Sequence, residues 1–162
     1  MKHICATLLL LCSNPIQELD KTFINEVKSC ALEYNSMLSE EHRIPINLVI
    51  AQAIHESDWG KSRFAVQGNN LFGIRALEGE DYILSRSGKK VKTYHTRCES
   101  VIDYIDLLSF GKPYEELKEI LIEQWLVDRV DVYVIIKYLG NYAEDVNYEN
   151  KIKKILQQLE RD

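Results

Sequence analysis

No Cys-x-x-Cys pair occurs in the chain, although it carries four cysteines, Cys5, Cys12, Cys30 and Cys98. Without that spacing, or a cysteine–histidine cluster in its place, no metal site is expected. A glycine-rich nucleotide loop is also missing, so no cofactor is expected. The apolar stretch from Ile4 to Leu11 falls far short of the roughly 20 apolar residues a helix needs to span a bilayer. A basic excess is missing as well: 20 Lys and Arg stand against 25 Asp and Glu, a net charge of −5. Phosphate backbones want a basic surface, so nucleic acid is excluded as a natural partner. Repeats, low-complexity tracts and long linkers do not occur. What remains is 162 residues with 46% hydrophobic content, enough to build the core of one small domain.

Lys2 followed by the Ile4–Leu11 run, broken by Ser13, Asn14 and Pro15, has the layout of a short secretory leader. Leu9-Leu10-Leu11-Cys12 has a lipoprotein-like look, but such sites want a small residue before the cysteine. Residues 1–15 are therefore read as a signal or lipoprotein-like leader, and residues 16–162 as the domain. The alternatives are a mis-set start codon and a plain apolar beginning to the domain. Cys30 and Cys98 could pair in an oxidising compartment. Both also fall on apolar helix faces, and the reading favoured here is a pair of small core thiols.

Leu19, Phe23, Val27, Cys30, Tyr34 and Met37 recur at three- and four-residue steps, the pattern of an amphipathic first helix. Pro45 opens a second, with Leu48, Ala51 and Gln52 following. Tyr82, Leu84, Ser87-Gly88, Val91 and Thr93 alternate around a turn dipeptide and predict a β-hairpin. Lys89, Lys90 and Lys92 on it read as solvated surface charge. Thr96 and Glu99 have capping-box spacing ahead of Val101, Ile102, Ile105 and Leu108, and Gly111 ends that helix. Pro113 starts another, with Tyr114, Leu117, Leu121 and Trp125 inward. Val132–Leu139 predicts a short apolar helix ended by Gly140, and Ile152, Ile155, Leu156 and Leu159 mark the last. Periodicity thus gives a mainly α chain with one hairpin.

The densest chemistry lies between Ala51 and Ile74, where the second helix ends in A-Q-A-I-H-E-S-D-W-G and is followed by K-S-R-F-A and G-N-N-L-F-G-I. Glu56 is a carboxylate at the end of an otherwise apolar helix, where desolvation can raise its pKa and hold a proton near neutral pH. A general acid needs that property. Asn69 and Asn70 beside Leu71 and Phe72 offer amides against an apolar wall, as a sugar cleft does.

These motifs resemble the glucosaminidase family, glycoside hydrolase family 73, whose members cut bacterial cell-wall peptidoglycan. The resemblance runs from about Ile44 to the end, through Tyr94, the Ser100–Leu108 helix, Asn141 to Asp145, Tyr148 and Lys151-Ile152. It implies a mainly α (α+β), lysozyme-like helical domain in which a small β-hairpin lobe overhangs a substrate groove. The implied activity is that of an autolysin-type endo-β-N-acetylglucosaminidase, with Glu56 as the acid. A second carboxylate is expected near the hairpin, and Glu80 fits best among Glu78, Glu80 and Asp81, although its interval from Glu56 is shorter than in the family. Were the two carboxyls about 6.5–9.5 Å apart, Glu80 could activate water for inversion; at a wider gap the substrate's N-acetyl group would assist. Tyr142 is expected to line the groove and donate to the N-acetyl region. Asn70, Phe72 and Trp59 complete the candidate substrate-binding set, with a supporting role favoured for the two aromatics. His55 and His95 read as structural. The resemblance further implies peptidoglycan glycan strands as the partner and an exported protein of the periplasm or cell envelope. A lytic transglycosylase and a non-catalytic glycan-binding module are the competing readings.

Overall fold

The computed structural model describes residues 15–140, 142 and 145–161, with side chains from residue 21 onward. Residues 1–14 of the expected leader, and Asn141, Ala143 and Glu144 of the C-terminal motif, lie outside the described residues. Seven α-helices and one hairpin are described: α1 (Pro15–Met37), α2 (Ile46–Ser57), α3 (Arg63–Gly68), β1 (Tyr82–Leu84), β2 (Lys90–Lys92), α4 (Arg97–Phe110), α5 (Glu115–Leu126), α6 (Val132–Ile135) and α7 (Tyr148–Leu159). Short 3₁₀ turns precede α2 and α5 and follow α6.

The centre of the molecule is α2, which buries Leu48, Val49, Ile50, Ala51, Gln52, Ala53, Ile54 and Ser57. A helix apolar on nearly every side must be enclosed, and here α1 and α7 pack along it. Pro45 stands at its N-cap, where it has no N–H to leave unsatisfied, and its carbonyl accepts from the amides of Leu48 and Val49. Behind α2, the fully buried Leu71, Tyr104, Ile105, Leu108, Leu117, Leu121, Ile135 and Leu139 join it in one core. On α1, Phe23, Val27 and Cys30 face inward as their spacing predicts, but Met37, in the last turn, is 67% exposed.

The hairpin is antiparallel, with Tyr82 opposite Lys92, Ile83 opposite Val91 and Leu84 opposite Lys90. Its inward face differs from the expected one: Val91 is buried and pairs with the half-buried Ile83, whereas Tyr82 and Leu84 are exposed. Alternation fixes which residues share a face, but the contact with α3 decides which face is inner. Gly68, the last residue of α3, makes that contact possible, since a Cβ there would lie 2.9 Å from Thr93 Cγ2 and 3.0 Å from Ile83 Cδ1. At the α4 N-terminus, the Thr96 side chain accepts from the Glu99 amide, as the capping box predicts. The Glu99 carboxylate reaches one residue further back than that motif prescribes, to the His95 amide.

Cys30 and Cys98 form a disulfide, with Cα atoms 5.3 Å apart. The favoured reading of two core thiols is thereby corrected. Periodicity places a cysteine on a face; only the crossing of α1 with α4 shows that the two meet. Arg97 reinforces this junction: it pairs with Glu26 at 3.0 Å, donates to the Gly60 carbonyl at 3.1 Å and lies over the Phe23 ring. α4 is thus tied both to α1 and to the turn that ends α2.

The bridge closes a 68-residue separation, and constraining the unfolded chain to that extent is worth about 2–4 kcal/mol. Reduction, or the Cys30→Ala/Cys98→Ala double variant, is expected to lower Tm by roughly 5–15 °C in a thermal melt. An unchanged Tm would show that the bridge contributes nothing to stability.

Candidate active site

Glu56 lies in the last turn of α2, and its half-buried position is set by how that helix stops. Ser57 folds back, donating to the Ala53 carbonyl at 2.6 Å and accepting from the Gly60 amide at 2.7 Å. Asp58, Trp59 and Gly60 then all adopt positive φ, and the Ser62 amide returns to the Ser57 carbonyl at 2.8 Å. Gly60 is needed because a Cβ there would lie 2.8 Å from the Phe23 ring. The E-S-x-W-G signature is therefore, from Ser57 onward, a device for ending the helix tightly. Trp59 points toward α1 and α7, edge-on to Phe23 at 6.4 Å and grouped with Ile24, Ile155 and Leu159.

Around Glu56 stand tyrosines. Tyr148, at the start of α7, stands close enough to the Glu56 carboxyl for its hydroxyl to favour the ionised form. The Tyr148 oxygen also accepts from the Gln52 side-chain amide at 2.6 Å. Tyr104, Tyr114 and Tyr142 are close enough for the Glu56 charge to raise their phenols. Burial is the larger cause for each of the three, and it takes Tyr114 to about 12. Glu56 itself is raised by burial, which the nearby Tyr148 hydroxyl partly opposes. Its Oε1 is buried without a partner among the described residues. A carboxyl with little water and one neutral donor favours its protonated form.

The loop after α3 is built by its two asparagines. Asn70 Oδ1 accepts from the amides of Phe72, Gly73 and Ile74, and its Nδ2 donates to the carbonyls of Ile74 at 2.9 Å and Lys92 at 2.8 Å. Asn69 donates to the carbonyls of Tyr94 and His95. Asn70 and Phe72 are only 1% and 2% exposed, so their side chains face the interior. Phe72 stacks on Tyr104 with ring centroids 4.1 Å apart, and its carbonyl accepts from the Tyr142 hydroxyl at 2.7 Å. Since that bond uses the Tyr142 proton, the phenol oxygen is left to accept from a ligand rather than donate to it.

Glu80 sits just before β1 in a different electrostatic setting. Its carboxylate pairs with Lys92 at 2.8 Å and accepts from the Leu77 amide at 2.7 Å, and these two contacts hold its pKa below the ordinary value. Lys92 also pairs with Asp103 of α4 at 2.8 Å, and Tyr94 donates to the same Asp103 oxygen at 2.7 Å. Burial disfavours the Lys92 ammonium, but its bonds to Asp103 and Glu80 outweigh that and raise its pKa. Lys92 is thus an ion-paired strut between hairpin and α4, not the solvated charge expected from sequence. These residues line a groove of about 500 Å³ between the hairpin and α4, shared with Asp81, His95 and Asp106.

His55 lies edge-on to Tyr148 at 5.4 Å. Burial, aided by Lys151, lowers its pKa, while Asp145 works the other way. His95 is exposed. Among the described residues no group of three or more His, Cys, Asp or Glu could hold a metal, and no helix is long and apolar enough to cross a membrane. Sequence reasoning did not assign Gln52, Tyr104, Tyr114 or Tyr148 to the site. For Gln52 the signal was present: a polar residue one turn before Glu56 on an apolar helix.

The profile of the Glucosaminidase family, mannosyl-glycoprotein endo-beta-N-acetylglucosaminidase, matches residues 33–161. The chain is 27% identical to exo-glucosaminidase LytG of Bacillus subtilis, over 93% of its own length and 56% of the relative's. It is 26% identical to the peptidoglycan hydrolase FlgJ of Salmonella typhimurium, covering 76% of itself and 42% of that protein. It therefore spans about half the length of the curated relatives it matches. Among solved structures, the catalytic domain of the autolysin Auto from Listeria monocytogenes superposes with a TM-score of 0.69 at 24% identity, covering 93% of this chain and 89% of that one. A truncated glycoside hydrolase domain of Salmonella FlgJ gives 0.64 at 22% identity, covering 88% and 99%. These two likenesses establish the expected lysozyme-like fold with its small hairpin lobe. With four-fifths of its length inside the family match, the chain belongs to the Glucosaminidase family of glycoside hydrolases.

Proposed function

We propose that the protein is a peptidoglycan hydrolase, an endo-β-N-acetylglucosaminidase that cleaves the β-1,4 bond after N-acetylglucosamine with Glu56 as general acid. The observation that carries this reading is the desolvated Glu56 carboxyl, raised in pKa and ringed by tyrosines at the end of the motif helix. Protonated, Glu56 gives its proton to the leaving glycosidic oxygen as the C1–O bond breaks and positive charge develops on the sugar ring. Tyr142 accepts from the N-acetyl N–H, and Asn70 and Phe72 serve substrate binding indirectly, by fixing the loop whose carbonyl anchors Tyr142. Trp59 supports the turn that aims Glu56.

Glu80 supplies the second charge. Its environment favours the carboxylate while that of Glu56 favours the acid, and two carboxyls driven apart in this way divide acid and base roles between them. Held by Lys92 and the Leu77 amide, Glu80 acts as a fixed negative charge that orients water or the N-acetyl group. Peptidoglycan lies outside the cytoplasm, so we place the enzyme in the periplasm or cell envelope. The Cys30–Cys98 bridge fits such an oxidising compartment.

Incubation of the protein and its Glu56→Gln variant with peptidoglycan, followed by borohydride reduction and mass spectrometry, tests the assignment. New reducing N-acetylglucosamine ends are expected from the wild type and none from the variant, with a rate loss of at least about 10³-fold. Anhydro-muramyl ends would make the protein a lytic transglycosylase instead. In the same assay Glu80→Gln is expected to cleave about 10–100-fold more slowly with the same products. A wild-type rate would remove Glu80 from the mechanism and leave the N-acetyl group to assist alone.

A further inference from the structure

Gln52 is fully buried in α2, and the one hydrogen bond of its side chain among the described residues is to Tyr148, 96 residues away on α7. It precedes Glu56 by one helical turn, so both side chains rise from the same face, Gln52 bonded to Tyr148 and Glu56 near enough to feel its hydroxyl. A buried amide amid apolar neighbours is costly unless it is used. Its Oε1 has no partner among the described residues, so packing alone does not account for a glutamine here. A methionine or leucine would fill the space without leaving a carbonyl unpaired.

We infer that Gln52 is a positioning residue for the acid: by donating to the Tyr148 oxygen it turns the Tyr148 hydroxyl proton toward the Glu56 carboxyl. The inference rests on the reading of Glu56 as the general acid. A phenol has one proton to give. With the Gln52 N–H on its lone pair, Tyr148 spends that proton on Glu56 rather than on another acceptor. While Glu56 is protonated this is a bond between neutral groups. As the proton moves to the glycosidic oxygen the carboxyl becomes a carboxylate, and the same bond becomes charge-assisted and stronger. The chain Gln52 to Tyr148 to Glu56 therefore favours the state after proton transfer over the state before it, which is the condition for lowering a barrier. No proton passes through Gln52.

The near-isosteric Gln52→Met and the Tyr148→Phe variants, alone and combined, test this. Two readouts are needed: the titration of the Glu56 carboxyl by ¹³C NMR, assigned by loss of its signal in Glu56→Gln, and kcat and KM on solubilised glycan strands across pH. Each single variant is expected to titrate Glu56 at higher pH and to lower kcat about fivefold or more, with KM little changed. The double variant should be no worse than Tyr148→Phe alone, because Gln52 acts only through Tyr148. An unmoved Glu56 titration in Gln52→Met, or effects that add in the double variant, would overturn the inference. If Gln52→Met fails to fold, Tyr148→Phe reads the same contact from α7, and an unmoved titration there overturns it equally. Titration is independent of turnover, so an active Glu56→Gln protein would reject the acid assignment without being confused with failure of the relay.

Discussion

The desolvation of one carboxyl at the end of α2 is what the other parts of this structure serve. A glutamate in water is ionised at neutral pH and cannot give a proton to a sugar oxygen. Removing water from around Glu56 shifts that preference toward the protonated form, and the surroundings are aromatic: Tyr104 from α4, Tyr114 ahead of α5, Tyr142 and Tyr148 from the C-terminal segment. Tyr104 is held by its stack on Phe72, and Tyr142 by the Phe72 carbonyl. The buried loop thus holds the tyrosines around Glu56 without exposing its own side chains.

Two junctions tie together the elements around this carboxyl. On one side, Arg97 and the Cys30–Cys98 bridge bind the start of α4 to α1 and to the turn directly after Glu56. On the other, Lys92 lies between Glu80 and Asp103, fastening the hairpin to the same helix. α4 is therefore tied both to the turn after Glu56 and to the hairpin that carries Glu80. A partly buried pair such as Lys92–Asp103 adds little net stability once desolvation is counted. Its value here is geometric, because it fixes where the hairpin's negative charge sits.

Much of the fold could be read from local pattern. The spacing of Phe23, Val27 and Cys30, the cap at Thr96 and the inward face of Tyr114, Leu117 and Leu121 all depend on neighbours within a turn or two, and all appear as expected. What escaped was pairing across the chain. Alternation could not tell that Ile83 rather than Tyr82 faces α3, nor helical spacing that Cys30 meets Cys98. Lys92 looked like surface charge because its partners are remote in sequence or on another element. The site follows the same division. The motif pointed to Glu56 as a candidate, but its setting comes from residues 48 to 92 positions further on, and Asn70 could not be known as a loop scaffold until its five hydrogen bonds were seen.

The claim at the centre of this account is that folding raises the Glu56 pKa above its ordinary value of 4.5 by burial. A carboxyl so raised contributes stability that is fully present below its unfolded pKa and lost as pH rises through the folded one. Replacing it with a neutral amide of the same shape removes that loss. Thermal melts of wild type and Glu56→Gln from pH 3 to pH 8 measure it directly. The Tm difference should change little below about pH 4, then move in favour of the variant through the range where Glu56 ionises, and level off above it. A difference independent of pH, or one that moves toward the wild type as pH rises, would contradict a desolvated acid at this position.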